Sequence, residues 1–217
     1  MMMNLFNIFD PTTSLFNLSI NWISSILILI MIPNFLWIMP NRINWIFKKI
    51  FNMMNYEINM LYQSKKIKSP TFMFIVLFMF ILLNNFNSLF PYIFSSSSHM
   101  IFSLTMALPF WLFFILISLF KNFKNLIAHL IPLNTPIYLA PLMTLIETMS
   151  IIIRPMSLSI RLTANLIAGH LLMTLLNFNS MLILIIIIQM MMMMFELCVA
   201  FIQSYVFSIL SSLYSSE

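Results

Sequence analysis

IYLAPLMTLIETMSIIIRPMSLSIRLTANLIAGHLLMTLL, Ile137 to Leu176, is an essentially apolar run of 40 residues that carries polar groups at regular spacing. As one α-helix it is about 60 Å long, against a hydrocarbon core of about 30 Å. A single crossing therefore needs a tilt of about 60°, beyond the usual range of about 0–40°. Phe178 to Tyr214 poses the same problem over 37 residues. Each segment is either two short spans or one strongly oblique helix, and Pro155 allows a kink in the first. The polar residues favour continuous helices. Thr144, Glu147, Ser150, Arg154, Ser157, Arg161 and Asn165 follow at intervals of 3, 3, 4, 3, 4 and 4, which is one stripe of a single helix. Gln189, Glu196 and Gln203 recur every seventh residue in the second segment, with Ala200 leaving space between the last two. The expectation is a long helical hairpin, 137–176 and 178–214, turning at Asn177 to Ser180.

The rest of the chain agrees with a membrane setting. Its 217 residues are 62% hydrophobic and 7% charged, with mean hydropathy +1.02. A soluble domain carries roughly 25% charged residues. No stretch reads as a linker, so 1–217 is expected to be a single membrane domain. Further spans are expected at 19–39, closed by Pro40, at 70–90, ending in Asn84, Asn85, Asn87 and Ser88, and at 99–120, before Lys121. The connection 41–68 mixes Trp45, Ile46, Phe47, Ile50 and Phe51 with basic residues and reads as an amphipathic helix on the membrane surface. The fold class is thus an all-α polytopic membrane protein of about five membrane helices plus a surface helix, the last two long and tilted.

All seven lysines lie in two connections: Lys48, Lys49, Lys65, Lys66 and Lys68, then Lys121 and Lys124. Arg42 joins the first group, whereas the N-terminal segment and PYIFSSSS carry neither Lys nor Arg. The positive-inside rule places both basic connections on the cytoplasm-equivalent side and the N-terminus opposite.

Several function classes fall away. The segment MMMNLFNIFDPTTSLFN has no basic n-region or Arg-rich presequence and is not expected to be a cleaved targeting segment. Cys198 is the only cysteine, which excludes an internal disulfide, and its apolar context reads as packing. The 22 Met and 23 Phe against one Gly follow AT-rich codons, as in many organelle genomes, so Met190 to Met194 is not read as a metal box. No Gly-rich phosphate loop is present, and no nucleotide site, metal site, cofactor or nucleic-acid partner is expected.

The stripe itself calls for a function. An arginine at the centre of a membrane helix costs about 2.5–3.5 kcal/mol on insertion scales, and its pKa above about 12 prevents escape by deprotonation. Arg161 needs a counter-charge, a water-filled cavity or both. A purely structural role would pair Glu147 with Arg154, or Glu196 with Arg161, as glue between helices. The two segments hold more than one such pair, and intramembrane ionisable groups in this number usually line an ion or proton path. His170 and the glutamates can exchange protons; Arg161 can block them. Gly169, the sole glycine, serves either close helix approach or room for His170 to face water.

SLSIRLTANLIAGHLLMTLL, Ser157 to Leu176, resembles the signature segment of subunit a of the F-type ATP synthase, mitochondrial branch. NLFNIFDP, PLNTPIYLAPLMTLIETMSIIIRPMSL and FELCVAFIQSYVFSILSSLY match the family in order, and the resemblance covers nearly the whole chain. It implies a long tilted hairpin clasping a rotor ring of c subunits in the mitochondrial inner membrane. Two offset half-channels then lead protons to and from the ring carboxylate. Arg161 matches the essential arginine that prevents a short circuit. His170 and Glu196 match the half-channel open to the intermembrane space; Glu147 and the terminal Glu217 match the matrix side; Asn165 and Gln203 match supporting polar groups. Arg154 falls where some members carry Gln and is expected to be a structural cation, paired with Glu147. The implied partners are the c ring, the peripheral stalk, other F0 membrane subunits and lipids. The N-terminus faces the intermembrane space and the C-terminus the matrix. The subunit is non-catalytic by itself and couples proton flow to ATP synthesis.

Two other classes compete. A secondary transporter usually shows inverted repeats and Gly/Pro-broken helices, which one glycine and no visible repeat do not supply. A membrane scaffold leaves the Glu–Arg–Arg stripe without a purpose.

Overall fold

The computed structural model describes residues 7–13, 18–32, 41–62, 70–90, 93–131, 136–178 and 183–216. Among these the chain is helical, with no strand. The main elements are α1 (Ile23–Met31), α2 (Arg42–Tyr62), α3 (Pro70–Ser88), α4 (Met100–His129), α5 (Ala140–Phe178) and α6 (Ile183–Ser216). Short 3-10 turns precede α1, α4 and α5, and another lies at Asn7–Phe9.

Four of these helices are long and apolar enough to cross a membrane: α3, α4, α5 and α6. A shorter apolar helix spans Ile20–Ile30; of the expected span 19–39, residues 33–40 lie outside the described residues. The apolar part of α4 is Met100–Phe120, and the helix continues beyond the expected 99–120 as far as His129. Backbone hydrogen bonding persists there because it needs no apolar side chains, so the polarity of the sequence marks the end of the span and not of the helix. Helix α5 has 39 residues and is about 59 Å long, twice the ~30 Å core. It continues through Pro155, which removes one backbone donor without ending the helix. Of the expected turn, 177–180, Asn177 and Phe178 are still helical, and 179 and 180 lie outside the described residues.

Helix α3 is the hub, packed against α1, α2 and α6, while α5 rests on α4 and α6. Phe74, Phe78, Met79 and Ile81 are its fully buried apolar side chains, and Asn84, Asn85 and Ser88 are buried as fully at its end. Apolar side chains gain little by leaving lipid, so close packing must do more of the work. The buried stripe of α6 is accordingly mostly small, with Ala200, Ser204, Ser208, Ser211 and Ser212 beside one large side chain, Phe207. Each of its serine hydroxyls donates to the carbonyl three residues earlier, so it needs no partner on another helix.

Helix α2 buries Met54, Ile58 and Tyr62 and leaves Lys48 and Lys49 exposed. Lys49 Nζ lies 4.9 Å from the Trp45 ring centroid. Two tyrosines fasten α2 to α6. Tyr62 donates to the Ser212 carbonyl at 3.1 Å, and Tyr205 donates to Glu57 Oε2 at 2.9 Å. The opposite end of the bundle carries the N-terminal turn, the start of α1 and the loop 93–99. Phe9 meets His170 edge-on at 6.1 Å, and Trp22 meets Phe94 at 5.5 Å.

Candidate functional site

A cleft of about 320 Å³ lies between α5 and α6 and is lined by Asn165, Gly169, His170, Glu196, Gln203 and, from α3, Asn85. Four residues expected from the sequence thus come together: Asn165 and His170 on α5, Glu196 and Gln203 on α6. The antiparallel hairpin produces this, since residues rising along α5 meet residues falling along α6.

Gly169 resolves the choice left by its sequence. A Cβ there would lie 2.9 Å from Glu196 Cδ and Oε1 and 3.2 Å from Cγ. The space that glycine leaves is filled by the Glu196 side chain. The sole glycine lets α6 bring a carboxylate against the backbone of α5, next to His170.

Three buried polar atoms at the cleft have no protein partner among the described residues: Asn85 Oδ1, His170 Nε2 and Glu196 Oε1. Leaving such a group unsatisfied costs about 1–3 kcal/mol, and internal water is the ordinary partner for buried polar atoms of this kind. Asn85 Nδ2 reaches the Ala200 carbonyl at 3.5 Å, which aims the amide across α6. The His170 ring bonds the backbone of Ser88, at the end of α3. Asn85 was legible only as part of the polar cluster closing a span; its place in the cleft follows from α3 packing on α6.

The α5 stripe divides. Thr144, Ser150 and Ser157 return their hydroxyls to backbone carbonyls of Pro141, Glu147 and Arg154. Glu147, Arg154, Arg161 and Asn165 remain to act outward. Arg154 Nη2 lies 3.7 Å from Glu147 Oε1, two turns away on the same helix. Of the two pairings open from the sequence, this one forms; Glu196 sits against Gly169. Among the described residues Arg161 forms no ion pair, and it lies on an exposed face with Ser157, Ala164, Asn165 and Ala168.

The axial order follows from ~1.5 Å per residue. Arg161 stands about 14 Å from His170 in one direction and about 21 Å from Glu147 in the other. Asn165, one turn from Arg161, also lines the cleft, so the cleft reaches the face that carries the arginine. Gln189 is half-buried outside the cleft lining. Cys198 is exposed on α6, contrary to the packed position expected of it. Glu217 lies outside the described residues. No cluster of three or more His, Cys, Asp or Glu that could hold a metal occurs among the described residues.

Comparison with known proteins adds to this geometry. A family profile described as ATP synthase A chain matches residues 3–216. The chain is 77% identical over 214 residues to the ATP synthase F(0) complex subunit a of Rhopalosiphum padi, covering 99% of each chain. It is 47% identical over 223 residues to the ATP synthase subunit a of Drosophila simulans, covering 100% of this chain and 99% of that one. The same name and 47% identity over 223 residues describe a relative in Locusta migratoria. With the four long apolar helices and full-length identity at this level, the chain belongs to the ATP synthase A chain family, subunit a of the F0 membrane sector.

Proposed function

We propose that this subunit is the proton-translocating stator of F0, working against the carboxylate of a ring of c subunits. The observation that carries the proposal is Arg161, a permanent cation on an exposed face, with no ion pair among the described residues and the polar cleft one turn away. A cation so placed is suited to a counter-charge on another subunit.

In this reading protons enter from the intermembrane space through the cleft. His170 and Glu196 pass them to the ring carboxylate, while Asn165, Asn85 and Gln203 hold water beside them. After nearly a full turn of the ring, the carboxylate releases its proton on the matrix side, past Glu147 and Glu217. Arg154 holds the Glu147 side chain in place along α5. Arg161 draws the returning ionised carboxylate and cannot relay its own proton, so protons cross only by way of the ring. A charge moving across 100 mV releases about 2.3 kcal/mol, and rotation transmits it to the nucleotide-handling part of the synthase. The subunit itself does no chemistry on nucleotides. The setting is the mitochondrial inner membrane, with α2 and its lysines on the matrix side, the N-terminus toward the intermembrane space, and the peripheral stalk, other F0 subunits and lipid as further neighbours.

Arg161→Ala tests this. Proton-driven ATP synthesis is expected to fall to background while the complex assembles, as judged by native electrophoresis. Coupled synthesis at the normal rate in the assembled variant would refute the assignment.

A further inference from the structure

Two more buried polar atoms lack a protein partner among the described residues, Ser97 Oγ and His99 Nε2. Both lie in the loop between α3 and α4, outside the cleft lining. The loop is unusual for a membrane protein: Ser95, Ser96, Ser97 and Ser98 are all buried. Three of the four hydroxyls are committed within the protein. Ser95 and Ser98 pair with each other at 2.8 Å, Ser98 also bonds the Ser95 carbonyl at 2.7 Å, and Ser96 donates to Asn84 Oδ1 at 3.1 Å. Only Ser97 is left over. His99 is walled by aromatic rings, with centroids 5.2 Å from Phe94 and 5.3 Å from Trp22. The Phe94 ring offers Nε2 no hydrogen-bond partner, and the Trp22 indole N–H makes no bond to it.

The position of this loop gives the two orphans a meaning. The serine turn packs on both α3 and α5. Its Ser96 grips Asn84, next in sequence to Asn85 of the cleft. Ser88, one turn beyond Asn84 on α3, bonds the ring of His170. The five orphaned atoms therefore lie along one end of the bundle, two in the loop and three at the cleft, with Ser88 and Asn84 between them. Buried polar atoms without protein partners are ordinarily met by internal water, which makes about three hydrogen bonds.

We infer that Ser97 and His99 form the outer, water-holding station of the proton route into the cleft, with Trp22 and Phe94 as its apolar wall. This rests on the half-channel reading above and extends it: the route begins in the serine loop, upstream of His170. A hydroxyl that both donates and accepts, two residues from an imidazole, can pass a proton along water without itself holding charge. The aromatic wall keeps lipid out and the station narrow.

The test is passive proton flux through assembled F0 in sealed vesicles, with the soluble sector removed and a potential imposed. His99→Phe suits the packing of Trp22 and Phe94 but has no polar atom, and Ser97→Ala deletes one hydroxyl. Each is expected to lower flux by roughly three- to tenfold, the scale of one lost hydrogen bond. His99→Gln, which keeps a polar end, should retain most of the flux. Glu196→Gln is the control. If it slows flux while both loop variants conduct normally, the half-channel reading stands and the loop station is overturned. If Glu196→Gln conducts normally, the half-channel reading itself falls. Should His99→Phe fail to assemble, Ser97→Ala alone decides the matter, since its loss of one oxygen leaves the loop's other bonds intact.

Discussion

The Glu196 side chain fills the space that Gly169 leaves without a side chain. A methyl group at 169 would overlap the carboxylate, but the overlapped atoms belong to a flexible side chain, so the helices need not separate. Gly169→Ala is therefore expected to assemble and to move the Glu196 carboxylate by a few tenths of an ångström. Proton flux should drop by roughly tenfold, less than the ~100-fold that a 1 Å misplacement can cost. Flux measured in F0 vesicles checks this, and a rate equal to the parent would show that the carboxylate does not need its place against the glycine. Glu196→Gln keeps the shape and deletes the titrating group. It is expected to slow proton entry more than Gly169→Ala does, in the same assay. Arg154 and Glu147 illustrate the limit of sequence at this scale. Their spacing put them on one stripe, but spacing alone left Glu196–Arg161 equally open. What decides is that Glu196 is already seated against Gly169, a tertiary fact no local pattern contains.

Helices were legible where their side chains are periodic and illegible where the backbone alone sustains them. The α5 stripe and the Gln189–Glu196–Gln203 repeat marked both long helices as continuous, and α5 does run unbroken past Pro155. The membrane span of α4 reads as ending before Lys121, and its apolar part does end at Phe120, but the helix itself persists to His129, which no side-chain pattern announces. The amphipathic pattern of 41–68 shows which side chains can be buried, but not what they are buried against. That needed the two tyrosine bonds to α6. Tyr62 is informative because its phenol is buried and its pKa is pushed up to about 12 by loss of solvation. The folded chain holds that proton more tightly than the unfolded chain, whose tyrosines titrate near 10. The stability of the α2–α6 contact is thus complete below about pH 10 and is lost as pH rises toward about 12. Tyr62→Phe should cost about 1 kcal/mol at neutral pH through the lost bond to Ser212 and remove that alkaline step. Hydrogen exchange of α2 amides across pH 9 to 12 would reveal an unchanged step if another group were responsible.

At the scale of the whole molecule, the chain is a framework with an unfinished face. The bundle hides its small and serine-rich surfaces in α3–α6 packing, and the orphaned polar atoms among the described residues lie at one end. On α5 it leaves Ser157, Arg161, Ala164, Asn165 and Ala168 exposed together. Small residues on either side of a long cation form a shallow track in which another helix can approach closely. Lipid alone is a poor match, because a charge facing hydrocarbon at mid-membrane costs about 2.5–3.5 kcal/mol even on the lenient scale. This face was the most legible feature of the sequence, since an arginine in an apolar run is conspicuous. The cleft beside it was legible only in part, because Asn85 comes from a segment with no helical polar stripe. Whatever covers this track can be captured by cross-linking. With the exposed Cys198 first replaced by Ala, Ala164→Cys places one thiol three residues from Arg161 on the open face. Oxidative cross-linking against single cysteines introduced along the membrane helices of the other F0 subunits should capture a helix bearing a mid-membrane Glu or Asp. The yield should peak at positions within a turn of that acid, where its carboxylate faces the guanidinium. Capture that is strongest on a helix lacking a membrane carboxylate would remove the counter-charge from the argument, and with it the role assigned to Arg161.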